Sequence, residues 1–398
     1  MDMLMTKDKL RKNIKLLSWH SFFTEFRFWA PIAILYFSKV TGSFTLGLSI
    51  FSIAMVSSAL FEIPAGVFSD FIGRRKTLIL GALAYLVGMI LYAIGGSFWM
   101  LVLGAVFEGL GRSFYSGNND ALLYDSLAAV GEENDFDECT GKISAMSQWA
   151  SGLSAILGGV VASFSFKWVV WLSTIPQIIC LLLGLVLVDV ALKSKEDENI
   201  YSHLRDAMNG FIHNAKLRTL SVTSIISFGI AEASYQFRSA FVATLWPIWA
   251  IGIASVLSSF GAAISFHFSG RLIRRFKALT WILAGSIYSR VANLIALIFP
   301  TVISPALMST TSVFYGVGET AKSALMQKEF THHQRATMGS LNSFGGSLFF
   351  GIFALFLGRL ADMFGPTKAL IYVQILQFGV MYLYFRLFMK DRGVVVNA

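Results

Sequence analysis

The sequence predicts an all-α integral membrane protein, with twelve transmembrane helices arranged as two pseudo-symmetric six-helix bundles and both termini cytoplasmic. Three observations lead there. Of 398 residues, 55% are hydrophobic and 14% charged, and the mean hydropathy is +0.65; that leaves too little polar surface to coat a water-soluble globule of this size. Apolar runs of about 20 residues, the length that crosses roughly 30 Å of hydrocarbon as helix, recur from end to end. Lys and Arg, finally, concentrate in alternate connections between those runs.

The first six runs take in residues 16–38, 45–69, 77–96, 98–123, 142–164 and 167–189. The second six are 217–242, 247–270, 278–299, 303–326, 337–360 and 367–389. With the N-terminus inside, 24 of the 32 basic residues fall in the inner tails and loops, as cytoplasmic connections require. Lys39, Lys167, Arg238, Arg359 and Lys368 count as outer, and Arg27, Arg112 and Arg290 lie within spans. The net charge of +9 therefore follows from topology, and no nucleic-acid partner is needed to explain it. Five basic residues precede the first span, and no small-residue cleavage site follows a short apolar core, so that span is expected to be retained. Cys139 and Cys180 form no metal or redox spacing and read as unpaired thiols.

The longest polar interval divides the chain into bundles 1–190 and 217–398, joined by a cytoplasmic linker, 191–216. Ile200, Leu204, Met208 and Phe211 recur there at helical spacing. The pattern fits an amphipathic helix on the inner leaflet or a partly disordered tether equally well. "FEGLG" (Phe107 to Gly111) and "FYGVG" (Phe314 to Gly318) share one frame in the fourth and tenth spans, equivalent positions in a six-plus-six plan. Such repeats underlie alternating access in secondary transporters, although small residues at this spacing also read as close helix packing.

The stretch "EIPAGVFSDFIGRRKTL", Glu62 to Leu78, places Gly66, Asp70, Gly73, Arg74, Arg75 and Lys76 at the cytoplasmic end of the second span and in the tight loop after it. Gly66 is expected to admit a neighbouring helix and Gly73 a tight reversal, while the three cations hold the loop at the anionic inner surface. Asp70 at that edge suits a cation or the positive end of a helix. This stretch resembles the loop 2–3 signature of the major facilitator superfamily. With "SGNNDALLYDSL", Ser116 to Leu127, it resembles a large bacterial subgroup of that superfamily. The resemblance implies a multi-pass protein of the bacterial inner membrane, working as a monomer among membrane lipids, and an inner gate in which Asp70, Arg74 and Asp125 form a charge relay. Topology-fixing alone is the plainer role for the same residues. The second half departs from the pattern: "GRLIRRFK" puts Arg274 where an aspartate is expected, and "GRLADMFGPTK", with the right spacing, falls outside and reads as a helix end with a turn.

Ionisable groups inside a membrane are costly and mark candidate sites. Glu108 and Arg112, and Glu319 and Lys322, are spaced to share a helix face. Glu25 and Arg27, two apart, are expected to point in different directions and to need other partners. In the superfamily that the motif resembles, spans one, four, seven and ten line the central cavity, and Glu25, Arg27, Glu108, Arg112, Glu232 and Glu319 fall on those spans. They are the candidates for proton coupling or substrate contact, Glu25 and Glu108 first, because a desolvated carboxylate titrates nearer working pH. Glu62, in the "EIP" pattern, suits gating or interdomain contact. Trp19, Trp29, Trp149 and Trp246 could stack on a planar substrate or sit in interfacial belts.

No metal, cofactor or enzyme activity is expected: the six histidines, His332 and His333 among them, form no ligand set, and no Walker, dinucleotide or nucleophile-elbow motif appears. The expected function is secondary active transport of a small organic solute driven by protons, with export of amphiphilic or drug-like compounds preferred. The fifth span, "SQWASGLSAILGGVV", has Gly152, Gly158 and Gly159 but lacks the proline often found in drug-exporting members. Uptake of an anionic or zwitterionic nutrient or chelate through Arg27 and Arg112 is the alternative. A non-transporting membrane sensor is the remoter one.

Overall fold

The computed structural model describes residues 2–189, 211, 214–329 and 335–391. Among these the regular structure is helical, without a β-strand. The helices of the first half are α1 (Asp2–Glu25), α2 (Ala33–Thr41), α3 (Phe44–Ile72), α4 (Arg74–Ile94), α5 (Phe98–Tyr115), α6 (Asn118–Val130), α7 (Phe136–Phe164), α8 (Phe166–Leu172) and α9 (Thr174–Val186). Those of the second half are α10 (Ala215–Val242), α11 (Ile248–Phe276), α12 (Ala278–Ile298), α13 (Ser304–Thr310), α14 (Tyr315–Glu329) and α15 (Arg335–Asp391). The amphipathic pattern at residues 200, 204 and 208 and the histidines at 332 and 333 lie outside the described residues.

Among the described residues, seven segments are long and apolar enough to cross a membrane by themselves: Phe44–Ser69, Arg74–Ile94, Glu133–Phe164, Phe166–Val186, Ile248–Phe276, Ala278–Ile298 and Met338–Met389. The first predicted span is broken rather than continuous. α1 stops at Glu25, a short 3-10 turn at Ala30–Ile32 carries Pro31, and α2 resumes at Ala33; proline lacks the N–H that an uninterrupted helix would need there. The tenth is broken likewise, by a 3-10 stretch at Thr311–Phe314. α15 contains both of the last two apolar runs and is interrupted at Gly365 (φ 81°, ψ 164°), followed by Pro366.

The chain divides into two compact units. One comprises residues 1–42, 50–195 and 247–253, and the other 43–49, 196–246 and 254–398. In the first, Leu78, Ala82 and Tyr85 of α4 pack with Leu17 of α1, Leu122, Leu123 and Leu127 of α6 and Cys180 of α9. In the second, Leu279, Ile282 and Leu283 of α12 pack with Leu220 of α10, Ala321 of α14 and Tyr384 and Leu387 of α15. The shared glycine frame does the same work in each unit. A Cβ at Gly109 would lie 2.5 Å from the Ala54 carbonyl of α3, and one at Gly316 would press on the backbone of Phe266 in α11.

The two basic reversals differ. Gly73 (φ 96°, ψ 151°) starts α4, whereas α11 runs on through the predicted loop "GRLIRRF", and Lys277 (φ 59°, ψ 146°) takes the corresponding reversal before α12. The Gly66 expectation is also corrected: no described atom lies within 4 Å of a Cβ placed there. Beside it Ile63 and Val67 are exposed, while Phe68 meets Phe114 of α5.

Candidate functional site

The first unit gathers four of the predicted intramembrane charges as two ion pairs. On α5, one turn separates Glu108 from Arg112, whose Nε and Nη2 donate to Glu108 Oε1 over 3.2 and 2.8 Å. Glu108 is only 3% exposed. Its second oxygen, Oε2, accepts from the Tyr92 hydroxyl at 2.9 Å, and the Tyr92 carbonyl in turn accepts from Tyr36. The carboxylate is thus satisfied on both oxygens, as a buried charge must be.

Glu25 and Arg27 form the second pair, which corrects the expectation that they diverge. That expectation assumed a continuous helix. Because α1 ends at Glu25, Arg27 leaves helical geometry, its backbone N–H bonds the Glu25 carbonyl at 2.9 Å, and its guanidinium folds back onto the Glu25 carboxylate. Arg112 also acts electrostatically on Glu25, and Tyr85 lies within the field of all four charges. Trp29 is buried against Phe37 and Tyr92, whereas Trp19 and Trp149 are exposed.

In the second unit the predicted carboxylates are held within their own helices. Glu319 accepts from Lys322 Nζ at 2.7 Å, and Glu232 from Gln236 at 2.7 Å. Trp246 is engaged too, its indole N–H donating to the Val302 carbonyl at 2.6 Å. Arg238, counted from sequence on the outer side, lies near the end of α10 and reaches Ser258, Pro305 and Ser309.

The loop motif is assembled around α6. Arg74 Nε sits 3.5 Å from Asp125 Oδ2. Asn118, 3% exposed, accepts from the Ser69 hydroxyl at 2.7 Å and donates to the Arg74 carbonyl at 2.8 Å, tying the end of α3 to the start of α4. Arg75 donates to the Leu185 carbonyl at 2.7 Å, where a cation suits the C-terminal end of α9. Lys76 is exposed, and Glu62 accepts from the Ser116 hydroxyl at 3.4 Å. Asp70 lies in α3 with its side chain outside the described residues.

Three contributors escaped the sequence reading. Tyr92 gave no signal, since an aromatic in an apolar run reads as packing. Asn118 stood inside the quoted "SGNNDALLYDSL" without an assigned role. Asp362, in "GRLADMFGPTK", accepts from the backbone N–H of Phe44 (2.7 Å) and Thr45 (3.0 Å) and from the Thr45 hydroxyl (2.6 Å), so it caps α3 in addition to ending a helix.

Known proteins agree with this architecture. The chain is 23% identical over 387 residues to an uncharacterised MFS-type transporter of Methanocaldococcus jannaschii, covering 90% of this chain and 93% of that one. It is 24% identical over 325 residues to the quinolone resistance protein NorA of Staphylococcus aureus, covering 80% and 79%. An uncharacterised transporter of Buchnera aphidicola matches at 26% over 235 residues, 56% of this chain and just over half, 57%, of that protein. Among solved structures, the nucleoside transporter NupG superposes with a TM-score of 0.80 at 13% identity, covering 95% and 99%. A bacterial homologue of the human lysosomal transporter Spinster, inward-facing and unoccupied, gives 0.77 at 14%, covering 99% of each chain. These structural likenesses concern the fold. Residues 17–351 match the Major Facilitator Superfamily, and the chain belongs to that family.

Proposed function

We propose that this protein is a proton-coupled secondary transporter that exports amphiphilic, drug-like solutes by alternating access. In this reading it works as a monomer in the bacterial inner membrane, with twelve spans, both termini cytoplasmic and a linker at 191–216. The observation that carries the reading is the buried Glu108, held between Arg112 and Tyr92. Protonating that carboxylate removes the countercharge of Arg112. Arg112 then needs another acceptor, which a solute or water must supply, and deprotonation restores the pair. Proton and solute thereby compete through one guanidinium. Glu25 and Arg27 provide a second pair of the same kind, and Arg112 links the two electrostatically. The quinolone resistance relative supports export.

The inner gate is assigned to Asp70, Arg74 and Asp125, and the Arg74–Asp125 approach supports it. The second reading is uptake of an anion or zwitterion; because Arg27 and Arg112 are held by Glu25 and Glu108, such a solute would have to displace a carboxylate from one of them.

The test is quinolone flux in proteoliposomes under an imposed pH gradient. Glu108→Gln is expected to lose gradient-driven accumulation while keeping solute exchange, and Asp70→Asn to lose both while still inserting. Gradient-driven accumulation in Glu108→Gln at the wild-type level would remove Glu108 from coupling. Accumulation of a carboxylate solute, but of no quinolone, would replace the export reading with uptake.

A further inference from the structure

The arginines that the sequence favours for an anion are already occupied, Arg27 by Glu25 and Arg112 by Glu108. Arg238 is not. It lies near the end of α10 in the second unit, and among the described residues no carboxylate pairs with it. Nη1 donates to Ser258 Oγ over 3.2 Å, while Nη2 reaches Ser309 Oγ at 3.3 Å and the Pro305 carbonyl at 3.5 Å. These contacts sit at or beyond the long end of the usual range of about 2.7–3.2 Å. Nε is buried and has no acceptor among the described residues. A guanidinium with five N–H donors, which does not deprotonate in proteins, is left with three long bonds to neutral oxygens.

The surroundings are built to take an oxyanion. Ser258 and Ser309 are buried, and their hydroxyls donate at present to the carbonyls of Ala254 and Pro305. A hydroxyl rotates to suit its partner, so both can turn toward a new acceptor. One guanidinium and two hydroxyls carry a single positive charge. That matches a monoanion, whereas a dianion would leave negative charge unpaired and poorly solvated. The planar fork also fits a carboxylate through two parallel bonds. Arg290 provides a control: its Nε is likewise without an acceptor among the described residues.

We propose that Arg238, with the hydroxyls of Ser258 and Ser309, forms the subsite for the carboxylate of the transported solute, which makes the substrate class a monocarboxylated amphiphile. This inference rests on the reading of the chain as a transporter.

The experiment uses the full chain purified in an uncharged detergent, with octanoate, octylamine and octanol as probes in thermal-shift and equilibrium-binding measurements. A ligand of the folded form raises its melting temperature by mass action. Octanoate is expected to bind and stabilise, and the amine and alcohol are not. Arg238→Gln is expected to weaken octanoate at least tenfold, and Ser258→Ala with Ser309→Ala severalfold, while Arg290→Gln leaves it unchanged. The serine variant keeps the charge and decides the matter should Arg238→Gln fold poorly.

Wild-type octanoate affinity in Arg238→Gln or in the serine variant, an equal loss in Arg290→Gln, or no octanoate binding to the wild type would each overturn the subsite. Nanodiscs with and without phosphatidylglycerol separate solute from lipid: displacement of octanoate by that lipid, dependent on Arg238, would make the occupant a headgroup and overturn the solute assignment. The two readings fail separately. Octanoate binding that depends on Arg238 in a protein without quinolone or carboxylate flux removes the transport reading and leaves the subsite. Normal flux with octanoate binding independent of Arg238 does the reverse.

Discussion

Glu108→Ala isolates the energetics of the charged core. The substitution removes the ion-pair partner of Arg112 among the described residues, and with it the acceptor of the Tyr92 hydroxyl. Breaking a buried ion pair from one side costs about 3–5 kcal/mol, because the remaining charge is stranded. A third of the Arg112 side chain is exposed, at 33%, so the stranded charge is not fully enclosed by protein and the lower end, about 3 kcal/mol, is the expected cost. For a folding unit on the order of 200 residues, roughly 2–4 °C per kcal/mol turns this into a fall of about 6–12 °C in melting temperature. The assay is fluorescence-detected thermal unfolding in detergent, at a fixed scan rate because such proteins unfold irreversibly. Arg112→Gln combined with Glu108→Gln removes both charges and is expected to melt closer to wild type than Glu108→Ala alone. A Glu108→Ala melt within about 2 °C of wild type, less than 1 kcal/mol on the same scale, would refute the claim that this pair is buried and energetically coupled.

Four further outcomes rest on the backbone and on close contacts. Lys277→Gly relieves a positive φ of 59° that costs a side-chain-bearing residue about 1–3 kcal/mol, so its melting temperature should rise; Gly73→Ala creates the same strain beside Asp189 and should lower it. Asp362→Ala strips the cap from Phe44 and Thr45, and a loss of about 1–2 kcal/mol should appear as earlier thermal unfolding, with Asp362→Asn retaining part of the cap. Gly158→Val drives a side chain into the Phe28 backbone, which cannot move as a rotamer can, so expression of folded protein should fall with a loss of about 1–3 kcal/mol or more; a wild-type melt would show that α7 has room there.

The membrane class was legible because it depends on quantities that survive without coordinates, namely run length, total polarity and the placement of Lys and Arg. Pairs spaced three or four apart were legible for a similar reason: helical periodicity alone brings Glu108 to Arg112 and Glu319 to Lys322. The Glu25–Arg27 pair was misread because the same periodicity was applied across a helix that stops at Glu25. Pro31 marked the neighbourhood, but an apolar run does not reveal on which residue its helix ends. Contacts between distant segments left less trace. Nothing in the sequence joins Tyr92 to Glu108, or Asp362 to Thr45 at a separation of 317 residues. Arg238 was placed on the outer side by position along its span, and nothing in the sequence joins it to Ser258 or Ser309.

The geometry of the charges separates two kinds of switch. Glu25 with Arg27, Glu108 with Arg112 and Glu319 with Lys322 each join residues at most four apart, within or at the end of one helix. A rigid-body movement carries both partners of such a pair together and leaves the pair intact. Only a change of protonation or a competing ligand can open it, so such a pair does not sense motion directly. Contacts between separate elements have the opposite property. Asp362 reaches from α15 to the first turn of α3, and Arg74 of α4 approaches Asp125 of α6. Sliding one helix against another breaks these without any proton moving. Under the proposed alternating access the two kinds would have to be linked, and Glu108 sits where they meet, because Tyr92 of α4 bonds a carboxylate carried on α5. Protonation there changes a local ion pair and a contact between helices in a single step.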